Sequence, residues 1–535
     1  MLRSLLENLM RSARKKASPD ATVVDKDSAT RRASVDASDD IGTVVALDEL
    51  VRRAEAFVRA KQLFDALNVY RNAARIYPTS IEAHLDMGNV LVDLWAIDDA
   101  LAAYSRAQEL APHSMAIFSA VLFHYHYSAA FDRREMFNMH RRFGEMMRTA
   151  TPQNSQHFVL TPEPDRRLRI GYVSSNFSRH SVGYFIEPVI REHDRGRYEV
   201  FCYYTHRLSD ETTARIRGLA DSWRDIAETD DATVEHLIRD NQIDILVDLA
   251  GHSKGHRLGV FARKPAPIQM TWLGYPDTTG LVTMDARITD DVADPAPDAE
   301  SWYTERLLRI DGTFLCYQPP VDAPPVSANA SPPSAVRFSS FNNVAKVNEE
   351  TIRNWAAILD GVPGSHLVLK SNALNYADTE ERMLECFERN GVAPDRIELH
   401  GWIRDRQHHL GLYENVDIAL DTFPYNGTTT TCEALWMGVP VVTLAGSAHM
   451  SRVGATLLRS AGLSSLVTHS AADYVAVAIA LANDQSRRRF LRANLRAILS
   501  GCSLLDHAGF TRKLEQLYRQ CWTDRCQGTR RSSPA

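Results

Sequence analysis

The sequence lacks any run of about eighteen uninterrupted apolar residues, so a membrane-spanning helix is not expected. It also lacks paired cysteines. Its seven cysteines, Cys202, Cys316, Cys386, Cys432, Cys502, Cys521 and Cys526, are odd in number, scattered and free of CxxC spacing. That excludes a disulfide framework and a zinc knuckle, and leaves reduced thiols of a cytoplasmic protein. Charge of one sign is missing too. A net charge of -6 gives no global attraction to nucleic acid or anionic lipid, so neither is an expected partner. The opening "MLRSLLENLMRSARKK" spaces its leucines helically, but Glu7 interrupts it and no small-residue cleavage site follows. It reads as an amphipathic helix rather than a secretory signal. The only pair of aspartates one residue apart, Asp25 and Asp27, lies in a Ser/Asp/Ala-rich stretch near the start. No metal site is expected in the remainder.

At 535 residues, with 44% hydrophobic and 24% charged content, the chain is ordinary globular protein of about three domains. Residues 1–44 are poor in aromatics and read as disordered. From about residue 45 to 150 a repeat takes over. "ALNVYRNAARIYPTS" from Ala66 and "ALAAYSRAQELAPHS" from Ala100 lie thirty-four positions apart, which aligns Tyr70 with Tyr104 and Pro78 with Pro112. That is the tetratricopeptide period: two antiparallel helices per unit, small residues where they touch, and proline past the second. "FSAVLFHYHYSAAFDRREMFNMHRRFGEMM" continues as helix and is expected to cap this short solenoid. His124 and His126, two apart on a helix, point in different directions and make a poor metal pair.

Beyond residue 166 the texture becomes α/β. "LRIGYVS", "YEVFCYY", "IDILVDLAG", "APIQMTWLGYP" and "MDARIT" alternate with helix-length stretches up to residue 325, the pattern of a parallel sheet built from βαβ units. The Pro/Ser-rich "DAPPVSANASPPSAV" then breaks the pattern as a linker. A second array, "VRFSSFN", "SHLVLK", "RIELHG", "VDIALDTF" and "VPVVTLAG", fills residues 335–523 with a closing helix, and 524–535 reads as a disordered tail. Two Rossmann-like domains of similar size predict a ligand cleft at the carboxyl ends of their strands. There "DTFPYNGTTTTCEALWMG" places a strand, a turn and a helix in succession. Asn426 and Gly427 permit close backbone approach, and Thr428, Thr429 and Thr430 open the helix. Free N–H groups and the dipole make such an end a phosphate site, with the hydroxyls as further donors. Glu433, deeper in the helix, is suited to accept hydrogen bonds from ribose hydroxyls.

Four stretches in order, "LRIGYVSSNFSRHSVGYFIEPV", "IDILVDLAGHSKGHRLGVFARKPAPIQMTWLGYP", "FNNVAKVNEETIRNWAAIL" and "DTFPYNGTTTTCEALWMGVPVVTLAG", resemble the O-linked N-acetylglucosamine transferase family on its SPINDLY-like branch. The resemblance runs from the repeats to about Trp522. It implies tetratricopeptide repeats joined to a GT-B glycosyltransferase that moves a sugar from a nucleotide donor to Ser or Thr of a protein acceptor. Inversion at the sugar and no metal or other cofactor are implied with it. The family's phosphate-binding lysine falls on Lys346, with Asn343 beside it. His409 matches the base-stacking position, with Arg406 nearby. His180 matches a histidine near acceptor and sugar, and His252 follows a buried strand; either is a candidate for proton transfer. Thr428 stands where animal members carry histidine, whereas the plant SPINDLY type carries the threonine run and uses GDP-fucose. UDP-GlcNAc is the preferred donor here and GDP-fucose the alternative, with an inactive repeat-based adaptor as the reading from another class.

Overall fold

The thirty-four-residue period folds into antiparallel helix pairs. In a computed structural model that describes residues 46–151, 163–326 and 335–532, α1 (Leu47–Arg59) packs on α2 (Leu63–Ile76), and α3 (Ile81–Asp93) on α4 (Ile97–Leu110). The second helix of each pair stops two residues ahead of Pro78 or Pro112. Ala66, Ala73, Ala100 and Ala107 are fully buried, as small contact residues should be. Gly88 lies so near Tyr104 that a Cβ would sit 2.5 Å from its ring. The Tyr104 hydroxyl donates to Asn89 Oδ1 at 2.8 Å, so the buried phenol is satisfied.

The chain forms two compact units, and the second begins at Phe118. The segment expected to cap the solenoid therefore serves the second unit. It is two helices, α5 (Met115–Tyr125) and α6 (Arg133–Ala150). Within the second unit His140 Nε2 meets the Tyr275 hydroxyl at 2.9 Å, and Gly144 admits the Gly280 carbonyl where a Cβ would be 1.8 Å away. Met136, Phe143 and Met147 supply the apolar surface that draws α6 there.

The first α/β half runs β1 (Leu168–Ser174), α7 (Ser181–Glu192), β2 (Tyr198–Tyr204), α8 (Glu211–Leu219), β3 (Ser222–Asp225), α9 (Asp231–Asp240), β4 (Ile245–Asp248), α10 (Leu258–Ala262), β5 (Ile268–Thr271), β6 (Ala286–Thr289) and β7 (Arg306–Arg309). Its sheet is parallel in the order β3-β2-β1-β4-β5-β6-β7. The second half runs β8 (Arg337–Ser340), α11 (Glu349–Gly361), β9 (His366–Lys370), α12 (Ala377–Arg389), β10 (Ile397–His400), α13 (Arg406–Gly411), β11 (Ile418–Leu420), α14 (Thr429–Trp436), β12 (Val441–Leu444), α15 (Val453–Ser460), β13 (Val467–Thr468), α16 (Ala471–Asn483) and α17 (Gln485–Ser500). Its parallel order is β10-β9-β8-β11-β12-β13. Strands covered on both faces read as continuous apolar runs, which is why β4, β5 and β12 are buried at every position. Strand order reverses between β1 and β4 in one sheet and between β8 and β11 in the other. Crevices form at such reversals.

Two expectations change at the C-terminus. A tail was expected from residue 524, but α18 (His507–Ser532) continues through most of it. This helix also returns to the first half instead of completing the second. The Tyr172 and Tyr518 hydroxyls lie 3.2 Å apart, His193 Nδ1 is 2.9 Å from Glu515 Oε1, and Phe510 stacks on Trp272. Its apolar residues Phe510, Leu514, Tyr518 and Trp522, at helical spacing, are buried by that return. The predicted disordered segment 1–44 and part of the Pro/Ser-rich linker, 327–334, lie outside the described residues. None of the described helices is long and apolar enough to cross a membrane.

Candidate active site

The loop after β11 is fixed before any ligand arrives. Asp421 is buried, and its Oδ1 accepts the N–H groups of Thr422 at 2.9 Å and Gly427 at 2.7 Å. Its Oδ2 accepts the Thr443 hydroxyl at 2.8 Å. Burial pushes the carboxyl up to about 6, against the pull of those donors and of Lys346. Asn426, also buried, donates its amide to Thr422 O at 2.8 Å and its main-chain N–H to Met450 O at 2.9 Å. Gly427 has no room for a side chain, since a Cβ would lie 2.5 Å from Thr430 Oγ1 and 2.6 Å from Asn342 Oδ1. Asn426 is thus a builder of the turn, and Gly427 the point where backbone comes closest to the β8 loop.

The four threonines do different work. Thr431 Oγ1 donates back to Gly427 O at 3.2 Å, and Thr430 Oγ1 donates to Asn342 Oδ1 at 2.9 Å. Thr428 is the N-cap residue of α14, yet its side chain makes no capping bond. The Thr429 hydroxyl is buried with no hydrogen-bond partner. The first main-chain bond of α14 runs from Cys432 N–H to Thr428 O, so the N–H groups of residues 429–431 precede the ladder. An uncapped helix start with an unspent buried hydroxyl is what an anion would complete.

Lys346 ends a one-turn helix, Val344–Lys346, that Asn343 caps by accepting the Ala345 N–H at 3.1 Å. Asn343 therefore positions the lysine turn and is itself exposed. Lys346 Nζ donates to Asn426 O at 2.8 Å and lies 4.1 Å from the Tyr425 ring centroid. Burial lowers its ammonium to about 8, opposed by the Asp421 carboxylate. Beside it, Ser340, Phe341, Asn342, Tyr413, Asp421 and Thr430 line a cavity at the β8/β11 reversal.

His409 and Glu433 come together: Nε2 of the imidazole is 3.1 Å from the buried Glu433 Oε2, while Nδ1 is buried and unpartnered. Neither is a surface residue. The Arg406 guanidinium stacks 4.3 Å from the Tyr184 ring of α7, leaving Nε and Nη2 buried without partners. Arg406 thereby brings the second half against the first one helical turn from His180.

The two histidines of the first half part company. His180 is exposed at the start of α7, where its Nδ1 accepts the Val182 N–H at 3.2 Å. With Nδ1 accepting, the neutral ring carries its proton on Nε2. His252 is buried with both nitrogens committed, Nε2 donating to Thr279 O at 3.0 Å and Nδ1 taking the Ser119 hydroxyl at 2.9 Å. Phe143 and Tyr275 pack on its ring, and burial holds its pKa well below the usual histidine range. Its expected role in proton transfer is corrected: His252 is a structural histidine. Sequence reasoning missed Asp421, Asn342, Tyr184 and Tyr425. Asp421 had a signal, an acidic residue closing an otherwise apolar strand, and the others are visible only once the loops meet.

Comparison with known proteins agrees with this architecture. The model of Glycosyl transferase family 41 matches residues 132–318 and 327–514. A Solanum lycopersicum protein described as a probable UDP-N-acetylglucosamine–peptide N-acetylglucosaminyltransferase SPINDLY is 42% identical over 402 residues, 74% of this chain and 43% of that one. Its Arabidopsis thaliana counterpart is 40% identical over 399 residues, 74% and 43% of the two chains. The chain thus spans about two fifths of these curated relatives. Among solved structures, a lysine-to-methionine mutant of the Thermobaculum terrenum O-GlcNAc transferase superposes with a TM-score of 0.85 at 38% identity, covering 90% of this chain and 92% of that one.

Proposed function

The chain belongs to glycosyl transferase family 41, and from that premise we propose that it moves N-acetylglucosamine from UDP-GlcNAc to serine or threonine hydroxyls of a protein acceptor. The observation that carries the reading is the convergence of Lys346, the unspent Thr429 hydroxyl and the uncapped start of α14 at the β8/β11 reversal. In the transfer the acceptor oxygen bonds to the anomeric carbon as that carbon's bond to the diphosphate breaks, and the hydroxyl proton passes to solvent or to the departing phosphate oxygen. Negative charge then grows on the leaving diphosphate, and this cluster stabilises it. Entry of the acceptor opposite the leaving group inverts the anomeric centre. Because an ammonium, a helix dipole and hydroxyl donors supply the countercharge, no metal is required. The nucleoside is assigned to the His409, Glu433 and Arg406 group, where the unpartnered Arg406 nitrogens have N–H groups to donate and the neutral His409 ring, with its Nε2–H on Glu433, offers Nδ1 as an acceptor.

Names of the relatives support UDP-GlcNAc as donor. His180 Nε2–H is placed in this reading to donate to the sugar or acceptor, and the helical repeats to hold an extended protein acceptor. The test is intact-mass analysis of a Ser/Thr-rich acceptor protein incubated with the purified chain and either UDP-GlcNAc or GDP-fucose. An added N-acetylhexosamine mass with the first donor alone supports the proposal. A deoxyhexose mass with the second replaces the donor, and no addition with either overturns the activity.

A further inference from the structure

Lys346 is the end member of a stack that begins ahead of the α/β halves. Tyr127, in the turn between α5 and α6, lies over the Tyr425 ring with centroids 5.3 Å apart and planes 21° apart. The neighbouring His126 meets the same ring edge-on at 6.2 Å; its Nδ1 is held by Leu122 O at 3.0 Å and its Nε2 lies 3.5 Å from Asp277 Oδ2. Tyr425 also carries the Lys346 ammonium 4.1 Å from its centroid. A lysine on a flexible four-carbon stem needs such holding, because its three donors can point many ways. Here one donor is spent on Asn426 O at 2.8 Å, and the ring fixes the stem against the Asn426 turn. A ring face attracts a cation most strongly where water is excluded.

We propose that Tyr425, seated on Tyr127, is a positioning residue for the transfer step: it aims the Lys346 ammonium at the leaving diphosphate and ties that aim to the helical segment ahead of the first α/β half. The inference rests on the reading of Lys346 as the diphosphate-binding cation. The charged and titratable groups around Lys346 are few. Asp421 lies on one side and the phenols of Tyr425 and Tyr127 on another, with His126 and Asp277 behind them. Burial among the rings keeps the ammonium near 8, well under an ordinary lysine. Removing the ring admits water, and the ammonium should then retain its proton to higher pH.

The test uses the full chain with Tyr425→Phe, Tyr425→Leu and Tyr127→Leu, each with unchanged thermal unfolding, assayed for transfer against pH. Tyr425→Leu should lower kcat on the order of tenfold with little change in donor KM. It should also move the alkaline fall in kcat/KM, which reports the free enzyme, upward from about 8. Tyr425→Phe, which keeps the ring, should recover most of kcat and the wild-type alkaline limb. Tyr127→Leu should shift both in the direction of Tyr425→Leu by less, and it stands in should Tyr425→Leu not fold. Wild-type kcat and alkaline limb in folded Tyr425→Leu, or equal losses in the Phe and Leu variants, would overturn the proposal. Lys346→Ala separates the two ideas. If it is inactive while Tyr425→Leu behaves as wild type, only the positioning role fails; if it is active, the lysine assignment fails first.

Discussion

Asp248 and Asp421 hold equivalent places in the two α/β halves, and what surrounds them is nearly the same. One closes β4 and the other follows β11, each beside the strand where its sheet reverses. Asp248 accepts the N–H groups of Ala250 and Gly251 and the Thr271 hydroxyl from the next strand. Asp421 accepts those of Thr422 and Gly427 and the Thr443 hydroxyl from its next strand. Burial pushes both carboxyls up to about 6. The chain beyond them differs. After Asp248 it turns to His252, whose nitrogens are spent on Ser119 and Thr279. After Asp421 it turns to an uncapped helix with an unspent threonine hydroxyl, faced by Lys346. A shared loop anchor therefore does not make a donor site. Of these two loops, only the one after Asp421 sets an unspent hydroxyl at an uncapped helix start beside a fixed cation, which is what the proposed donor site rests on.

The largest effect that would sharpen this contrast is expected from Lys346→Ala. Loss of one charge-stabilising donor costs about 3–4 kcal/mol of transition-state stabilisation, a fall in kcat of roughly 10²–10³-fold. Thermal unfolding should change little. Near-normal transfer by the folded variant breaks the contrast at its root. Asp421→Asn and Asp248→Asn come next as a matched pair. Each removes a buried carboxylate acceptor and should cost about 1–3 kcal/mol of stability. Only Asp421→Asn should also weaken UDP binding, because it alone loosens the loop beneath Lys346. Equal effects of the two on UDP affinity, read by calorimetry, would erase the distinction between the halves.

Smaller still, Thr429→Val deletes the unspent hydroxyl and should weaken UDP binding by about 1 kcal/mol, roughly fivefold. Thr431→Val, which loses a bond already made to Gly427 O, should act on stability instead. The smallest expected change is none. Excess EDTA should leave transfer intact, and a reaction abolished by chelator and restored by manganese would show that the cluster around Lys346 lacks the countercharge assigned to it.

Much of this was legible in the sequence. The thirty-four-residue offset from Tyr70 to Tyr104 announced the helix pairs, and apolar runs such as "IDILVDLAG" and "VPVVTLAG" announced parallel strands, because both signals are local. The threonine run marked the helix start for the same reason. Reading failed where packing between distant segments decides. His252 looks like a cleft histidine after a strand end, and only Ser119 and Thr279, far away along the chain, show that its nitrogens are spent. The return of α18 to Tyr172 and Trp272 is equally nonlocal. So is the stack of Tyr127 on Tyr425, two tyrosines that separately read as ordinary core and turn residues.

The most direct measurement of the central claim is amide hydrogen exchange of the full chain with and without UDP. Slowed exchange is expected across residues 342–346 and 427–434, with residues 249–256 unchanged. Protection of 249–256 in place of those segments, under conditions where UDP is bound, would contradict the assignment of the donor site to the second half.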